Sequence, residues 1–538
     1  MKKFVIISLY LLYILPSNVL ATCLVNENIQ ANDYYPPYSN YTGLGELQNP
    51  FCDINDNQFT CSNIENGLKL IHNFEYSQGI FNFKIAQKFS PERAIGYALE
   101  LLSLHQFTGN SIFFNKKLQE NSKKLVEILK NKALMVKNEK EQRFIDAVKS
   151  FYTDEKNNYV DLKTWDILMS QNRKFETQMC NLSNKYPDEV EFIAFCGLGI
   201  LRSRNGAYDL EKNQYGLKIL NKGYELNQNH PGILHYLIHM VENPLQAHHA
   251  RAAAEEYSTI AFNALHGVHM PAHHYFNTGD WNKIIEKTEH AWDIGQKMNK
   301  SIHNVKIGST DNFHAMRWIV YAYLQLGRYD DAFNSIVKMI EGSKNLDDYL
   351  DGGAIFDFSQ SAALTLVEGS LTEEQTRYLM TRFSEVANQN DKFSKIYLNY
   401  VHAVQAYRKS QKENFDSYIK NVNAIIEDYK TSHFMHVYNF KIMHMHLITY
   451  NHLLNNDLDK AEEAARLALN IEDEYVSRIF ETGPMMAIVP SNELLGIVLM
   501  KKGEYQNAIN EFLKIELRFP NRLVVKRYLE ECYKMISE

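Results

Sequence analysis

Beyond about residue 60, apolar side chains return every three or four residues, the period of an amphipathic helix. The pattern predicts an almost wholly helical chain. Residues 22 to about 60 lack that period and are rich in Asn, Asp, Tyr, Pro and Gly, so they read as an extended segment. The helical part is also self-similar. Tyr76 is followed by Gly79, Phe83, Ala86 and Pro91 and preceded nine residues earlier by Gly67. The same ruler laid on Tyr505 meets Ala508, Phe512, Ile515 and Pro520, with Gly496 nine before. Fainter copies start at Trp281 (Ile284, Thr288, Ala291), Tyr329 (Ala332, Ile336, Met339) and Leu458 (Ala461, Ala465, Ala468), each after a Gly or Asn turn.

Such a ruler has a packing meaning. A small residue in one helix lets the next approach closely, the polar turn reverses the chain, and the aromatic and later apolar positions fill the groove between hairpins. This resembles the tetratricopeptide hairpin, a repeat of about 34 residues. Hairpins of this kind cannot bury their apolar face alone and must stack. The predicted class is therefore all-α, an α-solenoid of tetratricopeptide-like hairpins. We divide it into residues 61–340 (N-terminal solenoid), 341–440 (degenerate hairpins, with Gly352-Gly353 as a break) and 441–538 (C-terminal repeats).

The amino terminus adds a compartment. Lys2 and Lys3 precede an apolar run from Phe4 to Leu15, then Pro16 and the small-residue exit Val19-Leu20-Ala21, the layout of a signal peptide over residues 1–21. Cys23 after Leu20-Ala21-Thr22 resembles a lipoprotein box with Thr where Gly or Ala is usual, so cleavage after Ala21 is preferred. No later stretch approaches 18 uninterrupted apolar residues, and no transmembrane segment is expected once the signal is removed. The expected location is periplasmic or extracellular. Lys+Arg 57 against Asp+Glu 64, scattered along the chain, leave no basic face for nucleic acid.

Six cysteines, Cys23, Cys52, Cys61, Cys180, Cys196 and Cys532, contain no Cys-x-x-Cys pair. In an oxidising compartment Cys52 with Cys61 and Cys180 with Cys196 are candidate disulfides; buried thiols serve the sequence equally well.

The twenty histidines cluster. His230-Pro231-Gly232 opens a helix that carries His235 and His239 four residues apart, on one face. The next first-helix carries His266, His269 and His273 at fifteen, twelve and eight residues before Trp281, positions where the repeat faces its concave groove. The same offsets from Tyr329 give His314, Arg317 and Tyr321. First helices of adjacent hairpins pack about 8–10 Å apart, so imidazoles from each can converge on one ion. The candidate metal ligands are His235, His239, His269, His273 and His314, with Glu242 as an available carboxylate; His266, also a reserve ligand, lines the groove with Arg317 and Tyr321. Zinc or copper suits neutral imidazole. The competing reading makes these groups polar groove or helix-end residues that hydrogen-bond one another or a ligand. His-Glu-x-x-His, Gly-x-Ser-x-Gly, the phosphate loop and Gly-x-Gly-x-x-Gly are all absent. His433, His436, His444, His446 and His452 lack consistent pairing and read as packing and surface.

His230-Pro231-Gly232 through His239, His269-Met270-Pro271-Ala272-His273, Gly279-Asp280-Trp281 and Phe313-His314-Ala315-Met316 together resemble a family of exported bacterial tetratricopeptide-repeat proteins of largely uncharacterised activity. Glu141 to Ala147, Lys185-Tyr186-Pro187-Asp188 and Pro490 to Gly496 fit the same pattern. Ala272 stands where the family tends to have Ser, and Pro91-Glu92-Arg93-Ala94 lacks its usual Cys. The resemblance implies fold and export, and no catalytic role to carry over. Sequence therefore suggests an exported scaffold whose groove binds a protein, a peptide or a small ligand; a His-ligated hydrolytic or oxidative metalloenzyme on the same solenoid is the alternative.

Overall fold

A computed structural model describes residues 42–105, 115–301, 309–343, 352–388, 392–412, 415–429, 436–478 and 483–538. The signal segment and His433 lie outside these residues. Among the described residues the structure is helical, with one isolated β-bridge between Thr153 and Tyr159. No described helix is long and apolar enough to cross a membrane.

Helices pair with their sequence neighbours along the chain, as an α-solenoid requires. The first hairpin is α1 (Gln58–His72) and α2 (Tyr76–Phe89), the last complete one α3 (Ser491–Lys501) and α4 (Tyr505–Glu516). In both, the repeat ruler becomes a contact. A Cβ at Gly67 would lie 2.4 Å from the Phe83 ring, and one at Gly496 would lie 2.4 Å from the Phe512 ring. Only glycine lets the two helices close that far. The stretch 341–440, where the ruler fades, is also built of helices, Gly352–Glu368, Glu373–Asn388, Lys392–Arg408 and Phe415–Tyr429; Gly352 starts a helix. Its groove-filling residues are Tyr397, Tyr400 and Phe383, fully buried at other offsets.

Buried apolar side chains form two main clusters, one from Leu44 to Met270 and one from Ala272 to Cys532. Their junction falls inside the histidine-rich segment. The second cluster closes back on that segment. Asn521 accepts from the Trp281 indole (3.1 Å), and Arg522, 1% exposed, pairs with Glu368 (2.8 Å) and Glu493 (2.6 Å) while donating to the Tyr321 hydroxyl (3.0 Å). Cys52–Cys61 and Cys180–Cys196 are disulfides, and Cys532 is a buried thiol.

Candidate metal centre

Four further helices bring the imidazoles together. In chain order they are Pro231–Met240, Leu265–His269, Pro271–Thr278 and Ser309–Gln325. Pro231 occupies the first turn, where its missing N–H is no loss, and His230 caps the helix by accepting from the Ile233 amide (3.3 Å). His235 and His239 then share a face. Pro271 interrupts the following segment, so Leu265–His269 and Pro271–Thr278 are separate helices joined at Met270, yet His269 and His273 stay together. Gly279, at φ +67°, supplies the left-handed residue that ends the second of them.

The side chains form two triads. Ligand atoms of His235, His239 and His266 lie within 4.8 Å of one another, and so do those of His269, His273 and His314. His235 Nε2 is 3.2 Å from His266 Nε2, and His269 Nε2 is 3.0 Å from His273 Nε2. Two nitrogens bound at about 2.05 Å to one tetrahedral ion stand about 3.3 Å apart. The spacing therefore suits a shared ion. Five of the six imidazoles are buried and His314 is half-buried.

The surroundings fix which nitrogen faces inward. His235 Nδ1–H donates to the His72 carbonyl (2.6 Å), since a carbonyl can only accept, and this leaves a lone pair on Nε2. Glu242 Oε1 contacts Nδ1 of both His239 (3.0 Å) and His273, again turning Nε2 of each toward its triad. This carboxylate–imidazole arrangement is the usual support of a metal-ligating histidine. Burial alone would raise the Glu242 carboxyl, but His239 and His273 outweigh it and hold it at about 2. Burial, reinforced by neighbouring imidazoles, pushes His235, His266 and His269 well below the ordinary value; His314 is lowered by burial and by Arg317. Burial thus favours the neutral form of these four rings, the form that binds metal.

Sequence reasoning did not find the rest of the setting. Phe74, in the turn between α1 and α2 at φ +59°, lays its ring against His235 (4.2 Å between centroids), His266 (5.1 Å) and His239 (5.7 Å). A bulky residue in the left-handed region is strained by about 1–3 kcal/mol. Trp318 plays the matching part at the second triad, 4.3 Å from His273 and 5.3 Å from His269. Arg204 donates to the His239 and Met240 carbonyls (2.8 Å each), pinning the helix end that carries His239 and Glu242. The one available signal was the unusual aromatic after Asn73; nothing local ties Arg204 to the site. His72, His230 and Glu191 form a separate buried cluster, with Glu191 accepting from both rings (2.7 and 3.1 Å).

Arg317 and Tyr321 also point inward. Arg317 is buried against Asp357 (3.1 Å), with Gln360 accepting from it (2.5 Å), and Tyr321 meets Arg522. Gln360 in turn donates to the Pro484 and Met485 carbonyls, seating the C-terminal loop over this side. The residues expected to line a groove are therefore engaged by the chain itself. A cavity of about 30 Å³ opens beside Glu242, between Tyr208, Asn277, Arg518 and Phe519. It has room for about one water. Of the second histidine group, His446 is buried on Ser491 (3.0 Å), while His444 and His452 are half-buried.

No protein-family model matches the chain. No curated protein matches it either. Among solved structures it is similar to the TPR domain of P58(IPK), at 12% identity and TM-score 0.22 over 89% of this chain and 98% of that one. It is similar also to yeast Tom70 (15%, 0.34, 89% and 96%) and to the APC/C hetero-tetramer Cut9–Hcn1 (9%, 0.29, 87% and 96%). The solenoid assignment rests on the packing of the chain's own helices.

Proposed function

We propose that this protein is an exported metalloprotein, an α-solenoid folded around a histidine centre that holds zinc or copper. The observation that carries the reading is the pair of Nε2–Nε2 separations, 3.2 and 3.0 Å, in sites whose Nδ1 atoms are turned outward to a carbonyl and a carboxylate. His235, His239, His266, His269, His273 and His314 would hold the metal; bound there, it would supply Lewis acidity or, as copper, redox chemistry. Two disulfides support an oxidising compartment, in keeping with the signal-like amino terminus.

The water-sized cavity beside Glu242 favours a second reading, a metalloenzyme that admits water or dioxygen. A peptide-binding scaffold has less support, because Arg317, Tyr321 and His266 already have internal partners. To test metal binding, the mature protein is loaded with zinc or copper, freed of excess and analysed for metal. At least one equivalent per chain is expected, and the His239→Ala/His273→Ala variant should lose most of it. Less than about 0.1 equivalent in the wild type overturns the proposal.

A further inference from the structure

Resting on the metal-binding reading above, we infer that the centre is dinuclear and takes copper as monovalent ions, one on His235, His239 and His266 and one on His269, His273 and His314. Each triad closes on three residues within 4.8 Å. The triads adjoin through His239 and His273, whose ring centroids are 5.1 Å apart and which Glu242 contacts in common. One tetrahedral ion needs its ligand atoms about 3.3 Å apart and accepts four of them. Six converging imidazoles therefore exceed one ion's coordination sphere.

The third grouping, His239, Glu242 and His273, takes one ring from each triad. Glu242 Oε1 contacts His273 Nδ1 and lies 3.0 Å from His239 Nδ1, while His273 Nε2 faces His269. Glu242 joins the two triads by orienting one ligand in each, a role known to bind metal-site histidines into register.

Charge selects the ion. An imidazole that binds an ion through one nitrogen is a neutral ligand, and among the described residues Glu242 is the carboxylate in contact with the ligand rings. Arg204, which caps the helix Val190–Ser203, and Arg317, on the helix that carries His314, face the same region, and Arg317 is offset by Asp357. Two divalent ions would place four positive charges in a buried pocket beside a single carboxylate, which burial penalises heavily. Two monovalent ions halve that charge. Three imidazoles also give monovalent copper a complete trigonal set, with the apolar rings of Phe74 and Trp318 packed against them.

The test titrates the full mature protein anaerobically with copper(I) held by a chromophoric chelator. Two equivalents should move to the wild type, and one each to His235→Gln/His266→Gln and to His269→Gln/His314→Gln. One equivalent in the wild type overturns the dinuclear inference and leaves the metal-binding reading standing. No copper(I) uptake, with zinc bound at two equivalents, overturns the choice of ion. No uptake of either metal removes both. The wild-type count does not depend on whether the variants fold.

Discussion

His235 Nε2 and His266 Nε2 meet at 3.2 Å although 31 residues separate them in the chain. The separation follows from three independent placements: a Pro-capped helix that carries His235, a carbonyl of His72 that holds its Nδ1, and the Phe74 ring that packs on both imidazoles. The chain itself positions the rings.

Glu242 is predicted to matter to metal affinity without being a ligand. Glu242→Gln keeps an acceptor oxygen but removes the charge that orients His239 and His273. Supporting carboxylates of this kind typically contribute 10–100-fold. A competition titration should show a loss in that range with stoichiometry unchanged; unchanged affinity would show that the contact orients nothing.

Acid should destabilise the fold well before carboxylates protonate. Burial holds His105 near 3 and His446 near 4. Their folded-state values are depressed, so their contribution is fully present above the unfolded value of about 6.5 and is lost as pH falls through the window toward 4 and 3. Each histidine gives a slope of about 1.4 kcal/mol per pH unit there. Between pH 7 and pH 5 the pair should contribute on the order of 4 kcal/mol to the loss read from urea midpoints, beside the other buried imidazoles, and His446→Gln should lower the slope by about 1.4 kcal/mol per pH unit. A midpoint that does not move would contradict the burial of both rings.

The ruler read from sequence makes a stability prediction at two distant places. Gly67→Ala and Gly496→Ala would each press a methyl into an aromatic ring at 2.4 Å. Overpacking of this sort costs about 1–3 kcal/mol. Thermal unfolding of both variants should show similar losses, whereas a neutral result at either would remove the equivalence of the first and last hairpins.

This equivalence was legible because the small residue, the turn and the aromatic lie within one hairpin. The four-residue spacings His235/His239 and His269/His273 were legible for the same reason, and they grouped those four residues on one ion. The structure groups His235 and His239 with His266, and His269 and His273 with His314, while Glu242 joins His239 to His273. That grouping depends on how successive hairpins are rotated, which no local pattern encodes. Phe74 and His72 reach the site from more than 160 residues before His235. Arg522 reaches Tyr321 from 201 residues away. Where the groove was expected, Arg317 pairs with Asp357 and Tyr321 accepts from Arg522.

Arg522 is the clearest test of this closure. It is fully buried between Glu368 and Glu493, so Arg522→Leu strands two carboxylates beside each other in the interior. Removing one partner of a buried ion pair costs about 3–5 kcal/mol. The triple variant Arg522→Leu/Glu368→Leu/Glu493→Leu should recover much of that loss in thermal unfolding. If the single variant unfolds like the wild type, the C-terminal hairpin does not close on Tyr321.

X-ray absorption at the edge of the bound metal tests the histidine centre most directly. The arrangement described predicts a first shell of nitrogen only, at about 2.0–2.1 Å, with the outer-shell scattering of imidazole rings. A first shell of sulfur, or of oxygen without imidazole scattering, would place the metal elsewhere and contradict the account.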